Sequence, residues 1–180
     1  DAKIIKPSEN ILNNLKNNFK DIKIILSSPL RRALETADLV KNEKAVIKPE
    51  KELVEIDYGL AEGKDLNYLR NKFPTLIKTW NEKIDARFPN GENYNDVLKR
   101  LLKLNSKLKK IKEKEVLIVT HNVVIRVLLG HTLNIPMHLW FKIKIPYGET
   151  IEFLFSKNSR FHLNSAETIE KIYQQIYDLK

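Results

Sequence analysis

Val116-Leu117-Ile118-Val119-Thr120-His121-Asn122-Val123-Val124-Ile125-Arg126-Val127-Leu128-Leu129 is the stretch on which the fold turns. Val116 to Thr120 is an apolar run of strand length, and Val123 to Leu129 carries apolar residues at helical spacing. The stretch therefore reads as a buried strand that hands over to a helix at His121. In an open α/β sheet that hand-over faces the crevice where ligands bind, which makes His121 the first candidate for chemistry. A structural histidine with its hydrogen bonds satisfied is the competing reading.

Working upstream, Asn93 can cap a long helix whose apolar positions Val97, Leu101, Leu104, Leu108 and Ile111 recur every three to four residues. Pro89-Asn90-Gly91 is a turn, and Leu66 to Lys72 and Leu76 to Ile84 are predicted helices separated by Pro74. Leu53-Val54-Glu55-Ile56-Asp57-Tyr58-Gly59 is the most ambiguous segment, an extended stretch that ends in a glycine-bounded loop. Ala45-Val46-Ile47 is a strand candidate closed by Pro49. Ser27-Ser28-Pro29 ends a short strand at Ile22 to Leu26 and opens a helix, with Ser28 as cap, Pro29 at the first helical position and Leu30, Ala33, Leu34 and Ala37 on one face. Before it, Ser8 can cap a helix through Ile11, Leu12, Leu15 and Phe19. Downstream, Thr150 to Phe155 adds a late strand and a C-terminal helix starts at about Ala166. This alternation predicts an α/β fold with helices on both faces of a mostly parallel sheet. No repeat or low-complexity linker divides it, so residues 1–180 are read as a single domain.

The chain has 180 residues, 42% of them hydrophobic, enough for one continuous core. No stretch is apolar for long enough to cross a bilayer, and Asp1-Ala2-Lys3-Ile4-Ile5-Lys6 lacks the order of a signal peptide. A soluble protein without membrane contact is expected, with the cytoplasm as the default location. There is no cysteine, which excludes disulfides, thiolate zinc sites and thiol nucleophiles. The net charge of +9 favours anionic partners. Many of the lysines lie among asparagines or on the helical run Leu102 to Lys114, where they form a solvated face. No surface stripe interleaves basic and aromatic residues, so nucleic acid is not expected as a partner.

Three places could carry chemistry. At Ser27-Ser28-Pro29-Leu30-Arg31-Arg32-Ala33, free amides at a helix start and guanidinium groups would together favour a phosphate. A capped surface helix with solvated arginines is the other reading. Glu55 and Asp57 alternate with Val54, Ile56 and Tyr58. A carboxyl group in a partly closed site can serve as a general acid, although a half-exposed strand alternates in the same way. Thr120-His121 is the third place. His131 and His138 lie ten and seventeen residues beyond His121 without compact ligand spacing, and His162 lies near the end of the sheet, so no metal site is expected.

In this order the pieces resemble the histidine phosphatase superfamily, the phosphoglycerate mutase-like enzymes, in the branch with cofactor-dependent mutases and many small phosphatases. The resemblance rests on Ser27 to Ala33 with Thr36-Ala37, Leu53-Val54-Glu55 with Gly59 and Glu62-Gly63, Phe88-Pro89-Asn90-Gly91-Glu92, and Val119-Thr120-His121 with Arg126 and Pro136. It implies a three-layer α/β/α sandwich. It also implies a phosphoryl-transfer site in which one histidine is phosphorylated, a second histidine and two arginines bind the phosphoryl oxygens, and a glutamate protonates the leaving group and later activates water. By position Arg32 is one arginine, Glu55 the acid and base, and His121 the second histidine, with Asn122 and Tyr58 as substrate-binding candidates. No metal or cofactor is implied.

The family's nucleophile lies in an Arg-His-Gly motif at the end of the first strand, and nothing before Ser8 resembles it. Either the sequence is truncated, with Asp1 as the tail of the loop after that motif, or the protein is a degenerate relative. Truncation is expected, because this fold without its first strand would leave apolar surface uncovered. Asn122 stands where a glycine usually follows the second histidine, Ile11 where a glycine is expected in the first helix, and Asn93 where a serine is expected. The expected function is a metal-independent phosphatase acting on a small phosphorylated metabolite through a phosphohistidine. The alternatives are a phosphoglycerate mutase, a sugar bisphosphatase suggested by Phe88 to Tyr94, and a non-catalytic phosphate-binding protein. The short segment from Gly63 to Gly91 favours a phosphatase over a mutase. Oligomeric state is open, a homodimer included.

Overall fold

Strand β1, Ile24–Ser27, is the centre of a parallel sheet in the computed structural model of the chain, which describes residues 4, 7–156 and 161–177. Val46–Pro49 (β2) pairs with it on one side and Leu117–Val119 (β3) on the other, giving the order β2-β1-β3. The near-continuous apolar runs of β1 and β3 are what strands covered on both faces require. On one face Ile25 packs with Ile22, Ala37 and Phe19, beneath helices α1 (Glu9–Asn18) and α2 (Arg31–Val40). On the other, Leu26 joins Val97, Leu101, Val123 and Val124 from α5 (Tyr94–Leu108) and α6 (Asn122–Thr132). The result is the three-layer α/β/α arrangement with a parallel central sheet.

Several boundaries differ from the sequence reading. Helix α2 starts at Arg31, so Pro29 precedes the helix and Ser28 is not its cap. Ser28 is fully buried and its hydroxyl faces His121. Ser8 occupies the cap position of α1 but its side chain makes no capping bond, whereas Asn93 and Asp96 form a reciprocal capping box on α5. Pro74 opens helix α4 (Pro74–Asn81) directly after α3 (Leu66–Lys72), and α4 stops short of Ile84. The chain leaves α4 through Lys83, whose φ of 61° lies in the left-handed region.

Leu53 to Gly59 is not a strand. A 3₁₀ turn at Lys51–Leu53 and another at Gly59–Ala61 bracket an irregular stretch. The late strand, Phe153–Phe155 (β4), does not join the parallel sheet; it pairs antiparallel with Phe161–Leu163 (β5), a strand absent from the sequence reading. Helix α7, Ala166–Tyr177, follows. Among the described residues no helix is long and apolar enough to cross a membrane. The reading of Asp1 as a loop tail lies outside the described residues.

Candidate active site

The parallel register sets Ser27 beside Val119, so β1 and β3 end together and deliver Ser28 and His121 to the same crevice. The Ser28 amide donates to the Val119 carbonyl at 2.9 Å, which fixes the two strand ends against each other. His121 then takes an extended backbone as the residue capping α6, with its carbonyl accepting from the Ile125 amide. The residue is 7% exposed, and Nε2 lies 2.7 Å from Ser28 Oγ. The same hydroxyl accepts from the Leu30 amide at 3.3 Å. Burial, followed by the positive charges of Arg32 and Arg100, lowers the His121 pKa to about 4. At neutral pH the ring is uncharged and able to donate one hydrogen bond.

Arg31 and Arg32 part company in the first turn of α2. Arg31 reaches along the exposed side of the helix to Glu35, with 2.7 Å between Nε and Oε1. Arg32 is partly buried, and its charge is felt at both His121 and Glu55. Glu55 is also partly buried, beside the first turn of α6. Burial raises its pKa, against the opposing pull of the Ile56 and Val123 amides and of Arg32 and Arg100. The two groups are displaced in the direction that favours the neutral form of each, within the field of the same cations.

Tyr58 is partly buried with its ring edge-on to Phe88 at 4.9 Å between centroids. Burial and the Glu55 charge push its hydroxyl up to about 12, so it stays protonated. Asn122 contributes the first amide of α6, and its side chain turns away to the Ile145 carbonyl at 3.4 Å. The structure thus brings Arg32, Glu55, His121 and Tyr58 together and places Asn122 at the margin. His131, ten residues along α6 and roughly 15 Å away at helical rise, is exposed and outside the cluster.

Four residues of the neighbourhood carried no catalytic or substrate-binding role in the sequence reading. Ser28 was masked by its resemblance to a helix cap. Arg126, one turn beyond Asn122 on α6, donates from Nε to the Ile143 carbonyl at 2.7 Å, and its charge partly opposes the burial that raises the pKa values of Tyr58 and Tyr94. Spacing by four along a helix was the available signal for Arg126. Tyr94 stood only as the last residue of the Phe88 to Tyr94 stretch, and nothing in the local sequence marks Arg100. Among the described residues, no three of the histidine, aspartate and glutamate side chains come together as a metal site.

A family model described as the histidine phosphatase superfamily (branch 1) matches residues 8–167. Among curated proteins, 6-phosphofructo-2-kinase 1 of Saccharomyces cerevisiae is 33% identical over 144 residues, 78% of this chain and 17% of the relative. Fructose-2,6-bisphosphatase of the same yeast is 30% identical over 113 residues, 62% of this chain and 24% of the relative. The chain therefore spans about a sixth and about a quarter of these two proteins. Among solved structures, YhfR of Bacillus stearothermophilus superposes with a TM-score of 0.75 at 23% identity, over 92% of this chain and 85% of that one.

Proposed function

Because the chain belongs to the histidine phosphatase superfamily, branch 1, we propose that it supplies the phosphate-binding and acid–base groups of a metal-independent phosphatase. The substrate is a small phosphorylated metabolite and the intermediate a phosphohistidine. The observation that carries this reading is one juxtaposition. A buried neutral imidazole, held by Ser28 at the end of the sheet, and a carboxyl group with a raised pKa lie within the field of Arg32.

In the first half-reaction a histidine nitrogen, contributed by the family's Arg-His-Gly segment, attacks phosphorus as the ester P–O bond breaks. Arg32 and the His121 N–H stabilise charge on the equatorial oxygens, which is where most of the rate acceleration of phosphoryl transfer arises. Glu55, protonated, gives its proton to the departing alkoxide. In the second half-reaction Glu55, now ionised, takes a proton from water as that water attacks phosphorus, the P–N bond breaks and inorganic phosphate leaves. A raised carboxyl pKa suits both steps. Tyr58 stays protonated and offers a hydroxyl to the substrate.

A sugar bisphosphatase is the second reading, favoured by the match to a yeast protein named fructose-2,6-bisphosphatase. The test is a panel of phosphorylated metabolites, fructose bisphosphates among them, assayed with EDTA on protein expressed from the complete reading frame. Turnover with acid-labile phosphate trapped on the chain is expected. No turnover of any ester and no trapped phosphate would refute the proposal.

A further inference from the structure

Glu55 sits in a stretch that neither helix nor strand holds. Val54 to Tyr58 lies outside every regular element, so its shape depends on tertiary bonds. Most of those bonds come from one ion pair far along the chain. At the upstream end Arg100 Nη1 donates to the Glu52 carbonyl at 2.6 Å. At the downstream end the Asp57 amide donates to Glu92 Oε2 at 3.0 Å, and the Glu92 amide donates back to the Asp57 carbonyl at 2.8 Å. Arg100 and Glu92 then close on each other in a two-point contact, Nε to Oε1 at 3.0 Å and Nη2 to Oε2 at 3.1 Å. Their side chains are only 16% and 24% exposed, so the pair is largely shielded from water.

A single fork-to-fork contact thus spans both ends of the segment that carries Glu55. The planar guanidinium suits this because it can serve a carboxylate and a carbonyl at once. A further bond completes the frame: the Thr120 hydroxyl donates to the Leu53 carbonyl at 2.8 Å, tying the same segment to the residue before His121.

Resting on the phosphatase reading above, we infer that Arg100 and Glu92 are positioning residues for the Glu55 carboxyl group, fixing its placement towards the leaving-group oxygen while touching no substrate themselves. A pair that merely anchored α5 would support every substrate equally. Positioning of an acid shows instead in how much help the leaving group needs, because p-nitrophenolate departs without a proton and an alkoxide does not.

The experiment compares kcat/KM for β-glycerophosphate and p-nitrophenyl phosphate in the complete protein and its Glu92→Gln, Arg100→Met and Arg100→Lys variants, with Glu55→Gln as reference. Amide exchange of residues 53–58 is read alongside. Each variant should lose at least about tenfold on the alkyl ester and less than about threefold on the aryl ester, in the pattern of Glu55→Gln. Arg100→Lys should fail with Arg100→Met, since it keeps the charge and loses the fork. Exchange at Asp57 should accelerate at least about tenfold, because each variant loosens the two-point contact that holds the Glu92 side chain against the Asp57 amide. Equal losses on both esters, or full turnover of the alkyl ester, would overturn the inference, as would unchanged exchange at Asp57 whatever the rates. If the wild type hydrolyses neither these esters nor any member of the metabolite panel and traps no phosphate, the phosphatase reading falls. The exchange result then decides separately whether the ion pair holds the Glu55 segment.

Discussion

Mild acid should loosen this protein through His121. The ring has a pKa of about 4 in the fold against 6.5 in the unfolded chain. Between those values the unfolded chain binds more protons. Stability contributed by the neutral ring is therefore complete above the unfolded value and is lost as pH falls through 6.5 towards 4. From neutrality to about pH 5 the loss comes to about 2 kcal/mol, a large share of an ordinary domain's margin. The assay is urea unfolding across that range for the wild type and His121→Gln, which removes the titration and leaves every other group in place. Subtracting the two curves isolates the histidine. A bound phosphate should shrink the difference, because its negative charge offsets Arg32 and Arg100 and makes the imidazolium easier to hold. Sodium phosphate is therefore compared with sodium chloride of equal ionic strength. Parallel wild-type and variant curves, within about 0.5 kcal/mol from neutrality to pH 5, would refute the reasoning. They would mean that His121 is hydrated in solution.

In the complete protein, His121→Ala and Arg32→Ala should each lower turnover of a phosphate ester by about 100-fold or more, while exposed His131→Ala leaves it unchanged; wild-type rates from His121→Ala would remove that residue from the site. Glu55→Gln should abolish most alkyl-ester turnover and yet raise the melting temperature at neutral pH, because burial opposes the ionised carboxylate there. For a raised carboxyl pKa the folded state binds more protons, so its contribution is present below the ordinary carboxyl range and fades as pH rises. A variant less stable than wild type at neutral pH, yet equal to it in acid, would contradict that sign. Gly91→Ala should destabilise by about 2 kcal/mol or more in thermal unfolding, since a Cβ there would lie 2.3 Å from the Asp57 carbonyl oxygen, with no flexible side chain to yield. An unchanged melting temperature would show that the two loops can separate at little cost.

The layers of the fold were legible because they rest on local signals. Alternating apolar runs and helical periods gave β1, β3, α5 and α6, and the Asn93 cap gave the start of α5. The misreadings fall where a side chain serves a distant partner instead of its own backbone. Ser28 looked like a helix cap because the same hydroxyl chemistry can satisfy a helix amide, but in the fold it lies against an imidazole 93 residues away. β5 was missed because three residues pairing only with β4 leave too short a pattern for a period to emerge. The Glu55 segment was ambiguous for a related reason: its path follows from Arg100 and Glu92, and a window around Glu55 contains neither.

His121 and Glu55 were visible as candidates while their protonation states were not, because each pKa depends on cations brought in by other elements. Arg32 arrives on α2 and Arg100 on α5, and both act on the ring and on the carboxyl group. For His121 burial and the cations push the same way, so the ring is held neutral with nothing opposing. For Glu55 they push in opposite directions and burial prevails, which leaves the acid's strength set by the balance between them. Anything that neutralises the arginines, a phosphoryl group above all, shifts that balance further towards the protonated carboxyl. The substrate would then help to load the proton that its own leaving group consumes, a coupling written in the placement of Arg32 and Arg100 and in no single stretch of sequence.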